Sequence, residues 1–217
     1  TRQYLADAIV AMAGGRIVDC GPAADVLPRL PPDTRVTHYA NALITAGFID
    51  THVHYPQLPV IGAGGKPLLE WLAGHTFPAE ARYADAGYAR GVADVYLREN
   101  LRHGITTACV FCTVHRASAD AFFEAALARG MRMIAGKVLM DRNAPAALLD
   151  TAQQGYDDSK ALIARWHGTA RLAYAITPRF AVTSTPAQLE AAGALKREFP
   201  DAYVQSHVSE NRAEVEL

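Results

Sequence analysis

Two imidazoles stand one residue apart in the segment Phe48-Ile49-Asp50-Thr51-His52-Val53-His54. On a strand, residues i and i+2 point to the same face, so His52 and His54 can converge on one metal ion. Neutral imidazole is a standard Zn²⁺ ligand, and three protein ligands with one open position make a catalytic rather than a structural site. A third imidazole ends another short apolar run far downstream, Tyr203-Val204-Gln205-Ser206-His207, and Glu210 follows three residues later. Two histidines and then His-x-x-Glu are the vocabulary of a metal-activated hydrolase. The histidines hold the ion, and the carboxylate lies within reach of the water that the ion activates.

The rest of the composition narrows the class. With 217 residues, half of them hydrophobic and a fifth charged, the chain has the make-up of a soluble globular protein of one or two domains. A net charge of −1 gives no footprint for nucleic acid or for a membrane surface. No stretch approaches the ~20 apolar residues of a transmembrane helix, and no signal-peptide pattern opens the chain. Three cysteines cannot make a paired disulfide framework, and a cytoplasmic location fits them best. The chain starts at Thr1 without Met and stops at Leu217, where the helix after a fifth strand should begin. The expectation is therefore a portion of a longer protein.

Two regions read differently. Residues 1–45 hold two short strand candidates, Ala8–Ala11 and Gly15–Gly21, around a Gly14-Gly15 turn, followed by a Pro-rich break from Leu27 to Pro32. This suggests part of a small β-sandwich-like domain. Residues 46–217 alternate strand-like and helix-like runs. Strands are expected at Gly47–His52, Ile105–Phe111, Met131–Leu139, Leu172–Thr177 and Ala202–His207. Helices are expected at Tyr88–His103, Ser118–Arg129, Tyr156–His167 and Pro186–Phe199. Continuous apolar strands suit a parallel sheet buried on both faces, and strict alternation implies an α/β fold, either doubly wound or a barrel. No Gly-x-Gly-x-x-Gly follows the first strand. Instead His52, His54, Arg179, His207 and Glu210 fall at or beyond strand carboxyl ends, where a (β/α)₈ barrel keeps its active site. The reading is a TIM-type barrel of which about the first five βα units are present.

The Gly-Phe-Ile-Asp-Thr-His-x-His strand and the fifth-strand histidine resemble the amidohydrolase superfamily of metal-dependent barrel hydrolases. Further blocks sharpen the likeness: Leu68 to Leu72, Thr76 to Glu80, Thr106 to Cys109, Gly136 to Val138, Thr177 to Phe180 and Gln205 to Asn211. Together they resemble the guanine deaminase family over nearly all of residues 43–217. The resemblance implies hydrolysis of guanine to xanthine and ammonia, with His52, His54 and His207 as metal ligands and Glu210 as the proton shuttle. It also implies a sixth-strand His and an eighth-strand Asp, which have no counterpart in this sequence. Two-metal members carry a lysine at the end of strand four. Here that strand ends Thr177-Pro178-Arg179, so one Zn²⁺ per chain is implied, with iron as the other candidate. Gln57, Arg179 and Phe180 become the substrate contacts: an amide, a cation for an acceptor oxygen, and a ring to stack on a purine. The expected partner is a small purine, with no nucleic acid or membrane, and the expected assembly is a homodimer. The alternatives are an aminohydrolase of the same superfamily acting on an adenosine-type or triazine ring, and a non-catalytic barrel relative.

Several residues have plainer readings. Glu210 could simply complement a helix start, and Arg179 could pair with a nearby carboxylate. Cys109 and Cys112 sit at i and i+3 of a strand, so they face opposite sides and read as buried structural thiols. His115 and Asp141 follow strands two and three and could line the mouth of the pocket. The segment holding Trp71 and Phe77 could cover that pocket or fill the barrel rim.

Overall fold

The computed structural model of the chain describes residues 4–216, and the chain divides into two compact units between Thr45 and Ala46. In the first unit, β1 (Ala8–Ala13) and β2 (Arg16–Pro22) pair antiparallel. Gly14 and Gly15 join them with φ of 57° and 73°, a hairpin turn whose two left-handed positions suit glycine. The short helix α1 (Ala23–Val26) follows, and Arg29 pairs with Asp19 at 2.6 Å.

The second unit carries β3 (Phe48–His54), β4 (Ile105–Phe111), β5 (Arg132–Gly136), β6 (Val138–Leu139), β7 (Ala173–Pro178) and β8 (Tyr203–Val204). All pairings among them are parallel. β3 lies beside β4, β4 beside β5, both β5 and β6 beside β7, and β8 beside β7. Spatial order therefore follows chain order without reversal. A doubly wound sheet reverses at a switch point, so this order is the barrel's. β5 and β6 are the third expected strand, interrupted at Lys137. Gly136 sits at that interruption because a Cβ there would fall on the Ala175 carbonyl.

Four long helices connect the strands: α4 (Ala86–Arg102), α5 (Arg116–Ala128), α6 (Ala152–Trp166) and α7 (Pro186–Glu198). The segment after β3 carries α2 (Leu68–Trp71) and α3 (Phe77–Ala81), joined by a π-helical turn, Leu72–Thr76. Asp85 starts α4 by accepting from the Gly87 and Tyr88 amides at 2.7 and 3.2 Å, and Thr151 starts α6 in the same way. His103 and His167 end α4 and α6, each followed by a glycine with φ of 78°. The last short helix is α8 (Arg212–Glu216).

Burial follows the sheet. All six residues of β7 are buried, and Phe122 and Phe123 of α5 are wholly enclosed, each contributing about 1.5–3 kcal/mol by leaving water. β3 and β8 depart from the expected burial on both faces: Phe48, Ile49, Tyr203 and Val204 are exposed. These two strands are the edges of the sheet among the described residues, so each has a neighbour on one side only. Among the described residues, no helix is long and apolar enough to cross a membrane.

Candidate active site

β3 runs through the histidine pair, two residues further than expected, and so delivers both rings from a regular strand. His54 stacks on Phe111 at the end of β4, with ring centroids 4.4 Å apart and planes 13° from parallel. His207 reaches the same place differently. Its strand stops at Val204, and the next residue takes over the positioning. The Gln205 amide donates to the Val110 carbonyl at 3.1 Å and to Thr177 Oγ1 at 3.0 Å, while Cys109 Sγ donates to its oxygen. The chain past β8 is thereby tied to β4 and β7. His207 is then held twice by the Arg179 carbonyl, through its backbone N–H at 3.0 Å and its ring Nδ1 at 2.7 Å.

A carbonyl can only accept, so Nδ1 of His207 carries the ring proton and Nε2 keeps its lone pair. That Nε2 lies 3.0 Å from Nε2 of His54 and 3.1 Å from Nε2 of His52. Burial holds His54 well below the usual imidazole pKa, and the nearby Arg179 charge pushes the same way. His207 is lowered by burial too. Two neutral rings and a third nitrogen gathered within 4.8 Å are a donor set that lacks an acceptor for its own lone pairs. A cation meets that need, and three imidazoles suit zinc.

The three histidines line one side of a cavity of ≈ 510 Å³ whose walls include Gln57, Trp71, Arg179, Phe180 and Glu210. Each residue expected to contact substrate therefore faces the same space as the histidines. Trp71 covers part of it, with its indole N–H bonded to the Ala63 carbonyl, whereas Phe77 packs below, 5.4 Å from the Arg179 guanidinium. The plain reading of Arg179 also holds. Its Nη1 meets Glu80 Oε2 at 2.6 Å, with both side chains buried. Gln57 Nε2 lies 3.4 Å from the other oxygen of Glu80.

The plain reading of Glu210 fares less well, because another carboxylate does that work. Glu214 accepts from the backbone amides of Ser209, Glu210 and Asn211 at 3.0, 2.6 and 3.3 Å, and its own N–H returns to Asn211 Oδ1 at 2.9 Å. This is a capping box in which Asn replaces Ser or Thr. It occupies the amides at the start of α8 and leaves the Glu210 side chain at the cavity wall.

Other candidates are engaged elsewhere. Asp141 accepts from the backbone and hydroxyl of Thr185, the residue that caps α7, and so is spent bracing that cap. His115 is half-buried at the start of α5 and is not among the cavity residues. Cys112 is buried and Cys109 half-buried, and burial pushes both thiols up. Lys137 is paired with buried Asp150. Glu80 and Glu214, which bond to the site candidates Arg179, Gln57 and Glu210, are residues to which the sequence reading gave no role. An Asn-x-x-Glu spacing could have flagged Glu214, but no local signal marks Glu80.

The amidohydrolase family profile matches residues 43–217, which include every residue named in this site. The chain belongs to the amidohydrolase family. Guanine deaminase from Escherichia coli K12 is 50% identical over 213 residues, covering 98% of this chain and 48% of that protein. A solved structure of E. coli guanine deaminase, 51% identical, superposes with a TM-score of 0.92 over 95% of this chain and 48% of the other. A guanine deaminase from C. acetobutylicum, solved with guanine in its active site, gives 0.88 at 27% identity over 97% of this chain and 50% of its own. An adenosine deaminase from Xanthomonas campestris with bound zinc gives 0.82 at 25% identity over 97% and 46%. This amidohydrolase chain thus spans about half the length of the relatives it matches.

Proposed function

We propose that the full-length protein hydrolyses guanine to xanthine and ammonia, with His52, His54 and His207 holding one zinc ion. The observation that carries the reading is Arg179, a buried, donor-only side chain facing the same cavity as the three histidines. Guanine presents O6, an acceptor, three bonds from the carbon that loses its amine, and a guanidinium complements it. The likeness to guanine deaminases in sequence and in fold supports the same substrate. The zinc in the X. campestris relative supports the metal.

His52, His54 and His207 would hold the zinc ion, which would lend acid strength to the reacting water near neutral pH. Glu210 then accepts a proton from the attacking water and passes it to the ring nitrogen beside the reacting carbon. It next takes the remaining proton of that water's oxygen and gives it to the amine, which leaves as ammonia. Phe180 offers its ring to the purine face, and Gln57 a polar contact to its edge. A homodimer in the cytoplasm completes the reading. Sedimentation and cell fractionation check those two points.

The test is ammonia release by the full-length protein from guanine, adenine, adenosine and an aminotriazine. A site built to bond a substrate group discriminates against analogues lacking it by up to ~10⁴-fold or more. Guanine alone should react. Preference for adenosine or the triazine would replace the substrate, and release from none would remove the reaction.

A further inference from the structure

We propose that Glu80 is the positioning residue that sets the donor and acceptor pattern of the pocket, an inference that rests on the purine-binding roles given above to Arg179 and Gln57. Glu80 is wholly buried, on α3, and does not itself line the cavity. A buried carboxylate is retained only where it is paired and hydrogen-bonded. Both of its polar partners here are cavity residues: Arg179 at 2.6 Å on one oxygen and Gln57 at 3.4 Å on the other.

The chemistry of the carboxylate then dictates the rest. An ionised carboxylate accepts and cannot donate. One arm of Arg179 is therefore anchored, and the guanidinium keeps its remaining N–H groups for a ligand. The amide of Gln57 must turn Nε2 toward Glu80, which leaves Oε1 as its free atom. The pocket thus offers donors from Arg179 and an acceptor from Gln57, the complement of a ring edge with a carbonyl beside an N–H. Phe77, three residues before Glu80 on the same helix, packs against the Arg179 guanidinium and holds the pair from below. Without the carboxylate, neither the plane of the guanidinium nor the orientation of the amide is fixed.

The experiment uses the full-length Glu80→Gln protein with guanine and with 2-aminopurine, which carries the same amine but no oxygen at the neighbouring position. KM for guanine should rise roughly 10²-fold, the scale of a misplaced binding group, with kcat little changed. The preference for guanine over 2-aminopurine should fall by a similar factor, and metal content should stay the same. Equal losses on both substrates, or no loss, would overturn the inference. A crystal structure of the variant decides independently of substrate. Arg179 and Gln57 should leave their present places while the three histidines stay, and unmoved side chains would refute the role. If Glu80→Gln does not fold, the Glu80→Gln/Arg179→Gln double variant carries no unpaired buried charge. With Gln57→Ala added to both, it should bind guanine no worse than Arg179→Gln does, and a further loss would count against Glu80 acting through those two side chains. Should the unaltered protein leave guanine intact, the reaction is wrong, and the crystal structure still decides the role of Glu80.

Discussion

Replacing Glu214 with Ala should disable the protein from a position that touches neither substrate nor metal. The Glu214 carboxylate takes three consecutive backbone amides, those of Ser209, Glu210 and Asn211. It does so around Ser209, whose φ of 56° lies in the left-handed region, an arrangement that costs a non-glycine residue about 1–2 kcal/mol. Ser209 and Glu210 are exposed, so amides released by the substitution find water. The loss is then that of a helix cap, about 1–2 kcal/mol. Cap and strain are of equal size, and without the cap the turn has no reason to persist. Glu210 would leave the cavity wall, and kcat should fall by roughly 10²-fold, the contribution of a placed acid–base group. KM for guanine should hold, because Gln57 and Arg179 depend on Glu80. Metal content should hold as well, because His207 is fixed by the Arg179 carbonyl. Glu214→Gln keeps one acceptor oxygen and should fall between the two. Steady-state kinetics with elemental analysis of the same samples makes the measurement. An unchanged kcat, or loss of metal together with activity, would refute this reasoning.

Two further substitutions probe other parts of the account. Glu210→Gln should lower kcat by roughly 10²-fold or more with metal retained, and since its side chain caps nothing the melting temperature should not move. Normal turnover would make Glu210 a bystander. Lys137→Met breaks a buried pair and should cost about 3–5 kcal/mol in denaturant unfolding. Burial raises the Asp150 carboxyl pKa and Lys137 opposes it, so the substitution leaves burial opposed only by the hydrogen bonds from Gln188 and the Met140 backbone. A carboxyl whose folded pKa is raised gives stability below its unfolded value and loses it as pH rises through the folded one. The gap to the unaltered protein should therefore narrow as pH falls toward the ordinary carboxyl range. A gap that widens would mean that Asp150 is not the group left uncompensated.

The legibility of these features in the sequence tracks their range. His52 and His54 are readable because a strand's period of two is local. The helix ends at His103-Gly104 and His167-Gly168 are readable for the same reason. His207 is readable only as a histidine ending an apolar run. What places it is Gln205 bonding across to β4, and a carbonyl 28 residues earlier. The break at Lys137 hides inside an apolar run, because the partner that holds the lysine, Asp150, lies 13 residues on. Glu80 is the extreme case. Its partner Arg179 is 99 residues away, and nothing near Glu80 distinguishes a buried carboxylate from a solvated one. The short helices α2 and α3 are not legible because Gly74 and Pro78 break the period and a π-helical turn joins the two.

The central claim, one metal ion held by three histidines and needed for the reaction, is tested most directly by elemental analysis of full-length protein purified without added metal. Ammonia release from guanine is followed as a chelator removes the ion. The account predicts one equivalent of zinc per chain, with activity lost in step with it and restored by zinc. Two equivalents, or none with activity intact, would contradict it.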